Sequence, residues 1–290
     1  MQFAPQRRIE IDGRAGHCTI WNVADIHLGC KNSDEDRLVR VIKAIEADPD
    51  AYFVLLGDMM ECIVPQDRKR WDPRTVADWV WQHTDGLRQP VEAQKERLYS
   101  YLKPIAGKCL GVVNGNHEEA VATYYAQNPG AWLAGQLKAP YLDAVGVIPL
   151  LIARGKDERS FPGFACTIIA DHGTTTATTP GGRANMLQRS MHRWEGVDVV
   201  MMGHAHSQDI VVLERIGFDK FRRDTKMHRT VGILSGAFFR TYLKGVPSYG
   251  EKKSYQPSVL GPLAVEVGLT AEGQGSFKPR LAIRPVEPRY

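Results

Sequence analysis

Five times along these 290 residues a short apolar run stops abruptly in a polar motif marked by glycine or histidine. Thr19–Ala24 runs into Asp25-Ile26-His27-Leu28-Gly29, and Tyr52–Leu56 into Gly57-Asp58-Met59-Met60-Glu61. Cys109–Val113 runs into Asn114-Gly115-Asn116-His117-Glu118. Phe164–Ala170 runs into Asp171-His172-Gly173, and Val197–Met202 into Gly203-His204-Ala205-His206. Runs of this length, rich in Val, Ile and Leu and bounded by Gly, read as buried strands. Helical periodicity falls between some of them. Over Asp34–Glu46, the residues Leu38, Val41, Ile42 and Ile45 keep one apolar face, with Ser33 as the expected cap and Asp36 completing an approximate capping box. Thr75–Leu102, interrupted near Gly86 and Pro90, and Glu118–Leu137 also read as mostly helical. Strands alternating with helices predict an α/β fold with substantial parallel pairing.

After residue 205 the pattern turns to short strands, at Ile210–Leu213, Val231–Leu234, Leu263–Leu269 and Leu281–Val286. These are expected to complete a second sheet. Length alone allows one large domain or two small ones. Motifs spread over 25–206 must meet at one site, so the reading is a single domain over 1–290. It carries a helical insertion at about 62–107, where Trp71, Trp79 and Trp81 either pack the insertion's own helices or form a substrate-facing rim, and a β-rich part from about 207.

Composition excludes several classes. With 43% hydrophobic and 24% charged residues, the chain is neither a disordered tail, a collagen-like repeat nor a membrane bundle. No apolar run approaches a bilayer span, and the first twenty residues lack the apolar stretch of a secretory signal. Cys18, Cys30, Cys62, Cys109 and Cys166 are scattered without a C-x-x-C and read as reduced, buried thiols. Cytoplasm is the expected compartment, with no membrane partner. A net charge of +4 neither demands nor excludes a polyanion.

Polar motifs at strand ends cluster on the carboxyl edge, where open α/β sheets bind ligands. Asp25/His27 and His204/His206 are spaced i, i+2, so an extended backbone would point both members of each pair the same way. Together with Asp58, Asn116 and His172 they make seven nitrogen and oxygen ligands. That is more than one ion needs and suits two ions sharing a carboxylate. His17, His83, His192 and His228 have no such context and read as surface or packing residues.

The series Asp25-x-His27, Gly57-Asp58-x-x-Glu61, Gly115-Asn116-His117-Glu118, His172-Gly173 and Gly203-His204-x-His206 resembles the calcineurin-like metallophosphoesterase superfamily. The resemblance implies a four-layer αββα sandwich of two mixed β-sheets flanked by helices, with a dinuclear metal site. It implies that Asp25, His27 and His206 hold one ion, that Asn116, His172 and His204 hold the other, and that Asp58 bridges them. It favours manganese, while Fe, Zn or Ni also suit mixed nitrogen and oxygen ligands. His117 resembles the histidine that protonates the leaving group. Glu61 resembles its acidic partner, where the superfamily more often has Asp. Glu118 competes for that role, its plain alternative being a charge at a helix N-terminus. The side chain of Asn116 could also touch the phosphoryl oxygens. Arg183, after the Thr174–Thr179 run and Gly181-Gly182, could reach a substrate phosphate or simply start a helix.

Departures from subfamily patterns narrow the substrate. Cys62 and Asn114 stand where serine/threonine protein phosphatases usually place Arg, which argues against protein phosphatase activity. Lipid A-pathway hydrolases share two motifs but usually carry Arg at the place of His117. DNA-repair nucleases share all five motifs, often with a long distal region. The tail with Ser248-Tyr249-Gly250-Glu251 and Gly261 loosely resembles metallophosphoesterases of phages and prophages. The basic stretch from Lys220 to Arg229 is either a contact for a phosphate backbone or a solvated hairpin. The leading expectation is a phosphodiesterase acting on nucleic acid or a nucleotide. The alternatives are a phosphomonoesterase, a lipid-pyrophosphate hydrolase and a non-catalytic scaffold.

Overall fold

The computed structural model describes residues 1–290 except 12–15, 69, 83–89, 155–162, 175–176, 222, 273–277 and 288. Strands β1 (Gln2–Phe3), β2 (Arg7–Ile11) and β3 (His17–Val23) lead to helix α1 (Glu35–Ala47) and β4 (Ala51–Leu56). Helices α2 (Asp78–Gln82) and α3 (Pro90–Leu102) and a tight 3-10 turn over Lys103–Lys108 precede β5 (Cys109–Val113). Then come α4 (Asn116–Tyr125), α5 (Pro129–Leu137), β6 (Tyr141–Asp143), β7 (Val145–Arg154), β8 (Phe164–Asp171), α6 (Pro180–Arg193) and β9 (Val199–Met202). The chain ends with the β10 (Asp209–Asp219) and β11 (Asp224–Leu234) hairpin, α7 (Tyr249–Lys252), β12 (Leu263–Glu272) and β13 (Lys278–Val286).

Two mixed sheets result. One has the order β13-β12-β3-β4-β5-β6, parallel from β3 to β6 and antiparallel at β12 and β13. The other runs β1-β7-β8-β9-β11-β10, with β2 also on β7, and β8, β9 and β11 are parallel. Residue alternation shows why the strand runs are continuously apolar. In β4, Phe53 and Leu55 join the cluster of Leu38, Val41, Leu98 and Leu133 from the outer helices, while Val54 and Leu56 face the other sheet. In the second sheet, Ile168, Ala170, Val199 and Met201 point inward, and Ile169, Val200 and Met202 meet Leu187 and Met191 of α6. Each sheet is covered on both faces, so both side-chain sets are apolar. The result is four layers, α/β/β/α.

Several expectations change in detail. Helix α1 is capped by Asp34, whose side chain accepts from Arg37 N at 3.1 Å, while Ser33 Oγ donates to Ile26 O at 2.7 Å. The expected helix over Glu118–Leu137 is two, because Ala126 turns left-handed at φ +53° and Asn128 caps α5 ahead of Pro129. The late strands divide between the sheets: β10 and β11 extend the second, β12 and β13 the first. Within the expected insertion, α3 buries Val91, Leu98 and Leu102 in the helical layer over the first sheet. The unforeseen strand β7 carries Pro149, placed where its partner changes from β1 to β2. Cys18, Cys30, Cys62, Cys109 and Cys166 are all buried free thiols, and burial pushes Cys18 and Cys109 up to about 12. No helix among the described residues is long and apolar enough to cross a membrane.

Candidate metal centre

The carboxyl ends of β3, β4 and β5 in one sheet and of β8 and β9 in the other open into one cleft of about 750 Å³. The backbone leaves those ends in sharp turns. Asp25, His27, Asp58, His204 and His206 all have φ between +48° and +69°. The i, i+2 pairs therefore converge through left-handed turns, and the expected extended backbone is not what aims them. Such turns cost free energy for residues with a Cβ, though Asp and His tolerate them better than most. Main-chain bonds hold them in place: Asp25 N donates to Gly57 O at 3.1 Å, His27 N to Asp58 O at 2.9 Å and Phe238 N to Asp25 O at 2.9 Å. Two motif glycines permit the packing. A Cβ on Gly115 would lie 2.1 Å from Asp58 Oδ1, and one on Gly57 would lie 2.6 Å from His172 Nδ1.

Ligand atoms of Asp25, His27 and His206 lie within 4.8 Å of one another, and so do those of Asp58, His172 and His204. A third trio, His27, Asp58 and His117, links the two. Outer hydrogen bonds set the imidazoles. His27 Nδ1 donates to Glu61 Oε2 at 3.1 Å and His172 Nδ1 to Leu56 O at 2.6 Å, which turns Nε2 of both rings into the site. His204 presents Nδ1, 3.1 Å from His172 Nε2. Asp58 Oδ1 accepts from His117 N at 3.0 Å, at the start of α4, while Oδ2 faces His172 Nε2 at 3.5 Å.

The donor set fits divalent cations. Asn116 Oδ1 faces His204 Nδ1 at 3.1 Å, His172 Nε2 at 3.3 Å and Asp58 Oδ2 at 3.2 Å, while its amide nitrogen lies 3.3 Å from Arg70 Nη1. With neutral rings that oxygen meets only lone pairs, a conflict relieved by turning the amide, by a proton on His172 Nε2 or by a cation. Asp25 Oδ1 is likewise buried without a hydrogen-bond donor among the described residues. The bare cluster also draws positive charge: against the opposing effect of burial, Asp58 and Asp25 push His172 up to about 10. Asp58 itself is held well below the usual carboxylate range by His117 and His172, again against burial. A cation bound there would replace the proton on His172.

Around this set, three expected residues make bonds beyond those foreseen. Glu61 spends its carboxylate on His27, and Oε2 stands 3.9 Å from His117 Nδ1. The His117 ring instead donates from Nδ1 to the main-chain oxygen of Glu61 at 2.5 Å. Glu118 is fully buried and accepts from Asp58 N, Gly115 N and Met60 N at 2.9–3.0 Å. It is a charge at the N-terminus of α4, as its plain alternative had it, and it also braces the turn carrying Asp58. Arg183 lines the cleft from the first turn of α6, but its guanidinium is bonded to Asp209 Oδ2 at 2.7 Å and Thr178 O at 3.2 Å. Residues 220–229 occupy the far end of the β10–β11 hairpin and line no part of the cleft, and Arg222 lies outside the described residues. His83 and Thr175–Thr176 also lie outside them. His17 sits by Glu266 and His228 bonds Val197 O, both away from the cleft.

Of the cleft walls, only the rim alternative for Trp71 was anticipated. Arg70, Trp71, Asp72 and Arg74 form one side, and Phe239, Tyr249, Lys252 and Tyr255 form the other. Lys252 Nζ reaches Asp72 Oδ2 at 2.7 Å to join them. The clustering of Trp and charge near residue 71 was the one sequence signal for this wall.

A four-layer sandwich with carboxylate, imidazole and amide ligands at the strand ends is the build of a metal-dependent phosphoesterase. Residues 18–208 match the family model for calcineurin-like phosphoesterase, and the chain belongs to that family. No curated protein matches it. Vps29 of Chaetomium thermophilum is a similar solved structure, at 12% identity over 93% of this chain and 95% of that one, with a TM-score of 0.35. The same protein complexed with the RaPID-derived cyclic peptide RT-D3 gives 11% over 93% and 96%, with a TM-score of 0.30. Likeness at these scores carries no weight.

Proposed function

We propose that the chain is a dinuclear-metal-dependent phosphodiesterase whose substrate is nucleic acid or a nucleotide. The observation that carries it is the pair of ligand trios, Asp25/His27/His206 and Asp58/His172/His204, set side by side on the floor of one open cleft. In this reading Asp25, His27 and His206 hold one ion, Asn116, His172 and His204 hold the other, and Asp58 serves both. Two divalent cations, manganese by preference, would neutralise phosphoryl charge and supply an activated water.

The chain's own groups do the rest. Glu61 and the Leu56 carbonyl keep the His27 and His172 rings in their ligating tautomers. His117, anchored through Nδ1, leaves Nε2 free to give a proton to the leaving oxygen. Burial opposes a charge on that ring, but Asp58 and Glu61 outweigh it and favour the protonated form. Aromatic and cationic walls, from Trp71, Tyr249, Tyr255, Arg74 and Lys252, suit a substrate that has both π-faces and phosphates.

The test is metal analysis followed by turnover of bis-nitrophenyl phosphate with Mn²⁺. A panel of single- and double-stranded DNA, cyclic nucleotides, nucleotide monoesters and a lipid pyrophosphate then sorts the substrate. A folded protein that binds no metal and turns over nothing overturns the enzyme reading. Preference for monoesters or the lipid overturns the substrate.

A further inference from the structure

We infer that Arg70 and the Asn116 side-chain amide together form an oxyanion clamp for the substrate's phosphoryl group. The inference rests on the phosphoesterase reading above and goes beyond the motif residues, since Arg70 belongs to none of them. Its guanidinium is built in place. Nε donates to Asp67 Oδ2 at 2.5 Å, and Asp67 is buried in a turn where its carbonyl accepts from Arg70 N at 3.0 Å and Trp71 N at 2.8 Å. That tie fixes the plane of the fork. Nη1 lies 3.3 Å from the outer atom of the Asn116 amide, and with the amide nitrogen in that place neither terminal nitrogen has an acceptor among the described residues.

A role confined to neutralising Asp67 accounts for Nε alone. It leaves unexplained why a second cationic nitrogen is aimed at the ligand cluster. The two amide orientations of Asn116 resolve this. With Oδ1 turned outward, the amide accepts from Arg70 and donates to His204, His172 and Asp58. With Oδ1 turned inward as a cation ligand, its NH₂ faces Arg70 Nη1, and two donors converge at the mouth of the site. Converging donors of this kind need an anionic acceptor, and a tetrahedral phosphate presents one. Metal loading thus arms the clamp, because it sets the amide that completes it.

The experiment compares wild type with Arg70→Ala and Arg70→Lys, each loaded with Mn²⁺, checked for metal content by mass spectrometry and titrated with inorganic phosphate by calorimetry. All three are expected to carry the same metal. Phosphate affinity should fall about 10- to 100-fold in Arg70→Ala, the scale of a lost charge-assisted hydrogen bond, with a matching rise in KM for bis-nitrophenyl phosphate. Arg70→Lys should recover only part of the affinity, since an ammonium cannot be held by Asp67 and still reach forward as a fork. Affinity within twofold of wild type in Arg70→Ala, at equal metal content, overturns the clamp. If Arg70→Ala does not fold, Arg70→Lys decides by the same criterion. Metal-free wild type binding phosphate as tightly as the loaded protein overturns the arming of Asn116. A wild type that holds no metal and binds no phosphate sinks the phosphoesterase reading itself, a failure distinct from an unchanged Arg70 variant.

Discussion

On the floor of the cleft, Asp25, His27, Asp58, His204 and His206 sit in left-handed turns, and Asp25, His27 and Asp58 are almost wholly buried. On the rim, Tyr249 and Tyr255 are about half exposed, and the two walls meet through ion pairs such as Asp72 with Lys252. The floor stores strain of about 1–2 kcal/mol per left-handed residue, which only dense packing and crossed main-chain bonds can hold. The rim stores less: among the described residues of its two walls only Ser254, at φ +54°, does the same. Chemistry is thus placed by the fold as a whole, whereas recognition is left to side chains whose loss the fold would hardly register.

The largest expected effect lies at the centre of the floor. Asp58→Asn removes the charge proposed to serve both ions, so metal content and turnover should vanish together. Mass spectrometry of the purified variant checks this, and a variant retaining two ions would break the assignment of Asp58 as the shared ligand. His117→Ala should behave differently because its ring lies outside the seven proposed ligands. Metal should stay while turnover falls by roughly 10²–10⁴-fold for esters with poor leaving groups. Nitrophenyl esters, whose leaving oxygen hardly needs a proton, should suffer less. Equal losses on both kinds of ester would remove His117 from the proton-transfer role.

The same contrast explains what could be read from the sequence. Strands β3, β4, β5, β8 and β9 announce themselves because both of their faces are covered, which makes each a continuous apolar run before its motif. The floor follows from those motifs, since each ligand is fixed within a few residues of a strand end. Its left-handed turns were not legible: a D-x-H spacing is compatible with an extended pair, and only contacts such as Asp25 N to Gly57 O reveal the turn. The further bonds of Glu61 and Glu118 were hidden for a similar reason. Their partners, the His27 ring and the Asp58 main chain, are 34 and 60 residues away in sequence. The rim was least legible of all. Arg70 and Tyr249 are brought together by two segments with no shared pattern, one before β5 and one after β11.

Recognition residues on the rim should give intermediate effects that depend on substrate. Tyr249 packs edge-to-face on Tyr255, with ring centroids 5.9 Å apart, and keeps 53% of its surface exposed. Tyr249→Ala should raise KM for a single-stranded oligonucleotide by about tenfold, the lower range of one base–aromatic stack, and leave bis-nitrophenyl phosphate kinetics unchanged. An equal change on both substrates would mean that the segment shapes the site instead of reading bases. No change on either would remove this wall from recognition.

The smallest effect belongs to the ion pairs that join the walls. Arg74 and Lys252 hold the Asp72 carboxyl well below its ordinary value. A depressed carboxyl stabilises the folded chain above its unfolded value, near 4, and that contribution fades as pH falls toward the folded value. Both cationic partners are substantially exposed, so solvent and salt screen the pairs, and the contribution should be less than about 1 kcal/mol. Denaturant midpoints of wild type and Asp72→Asn should therefore differ slightly at neutral pH and low salt. They should converge both in strong acid and in high salt. A gap several times larger, insensitive to salt, would show that the walls brace the fold, and the distinction between a strained floor and an unburdened rim would fail.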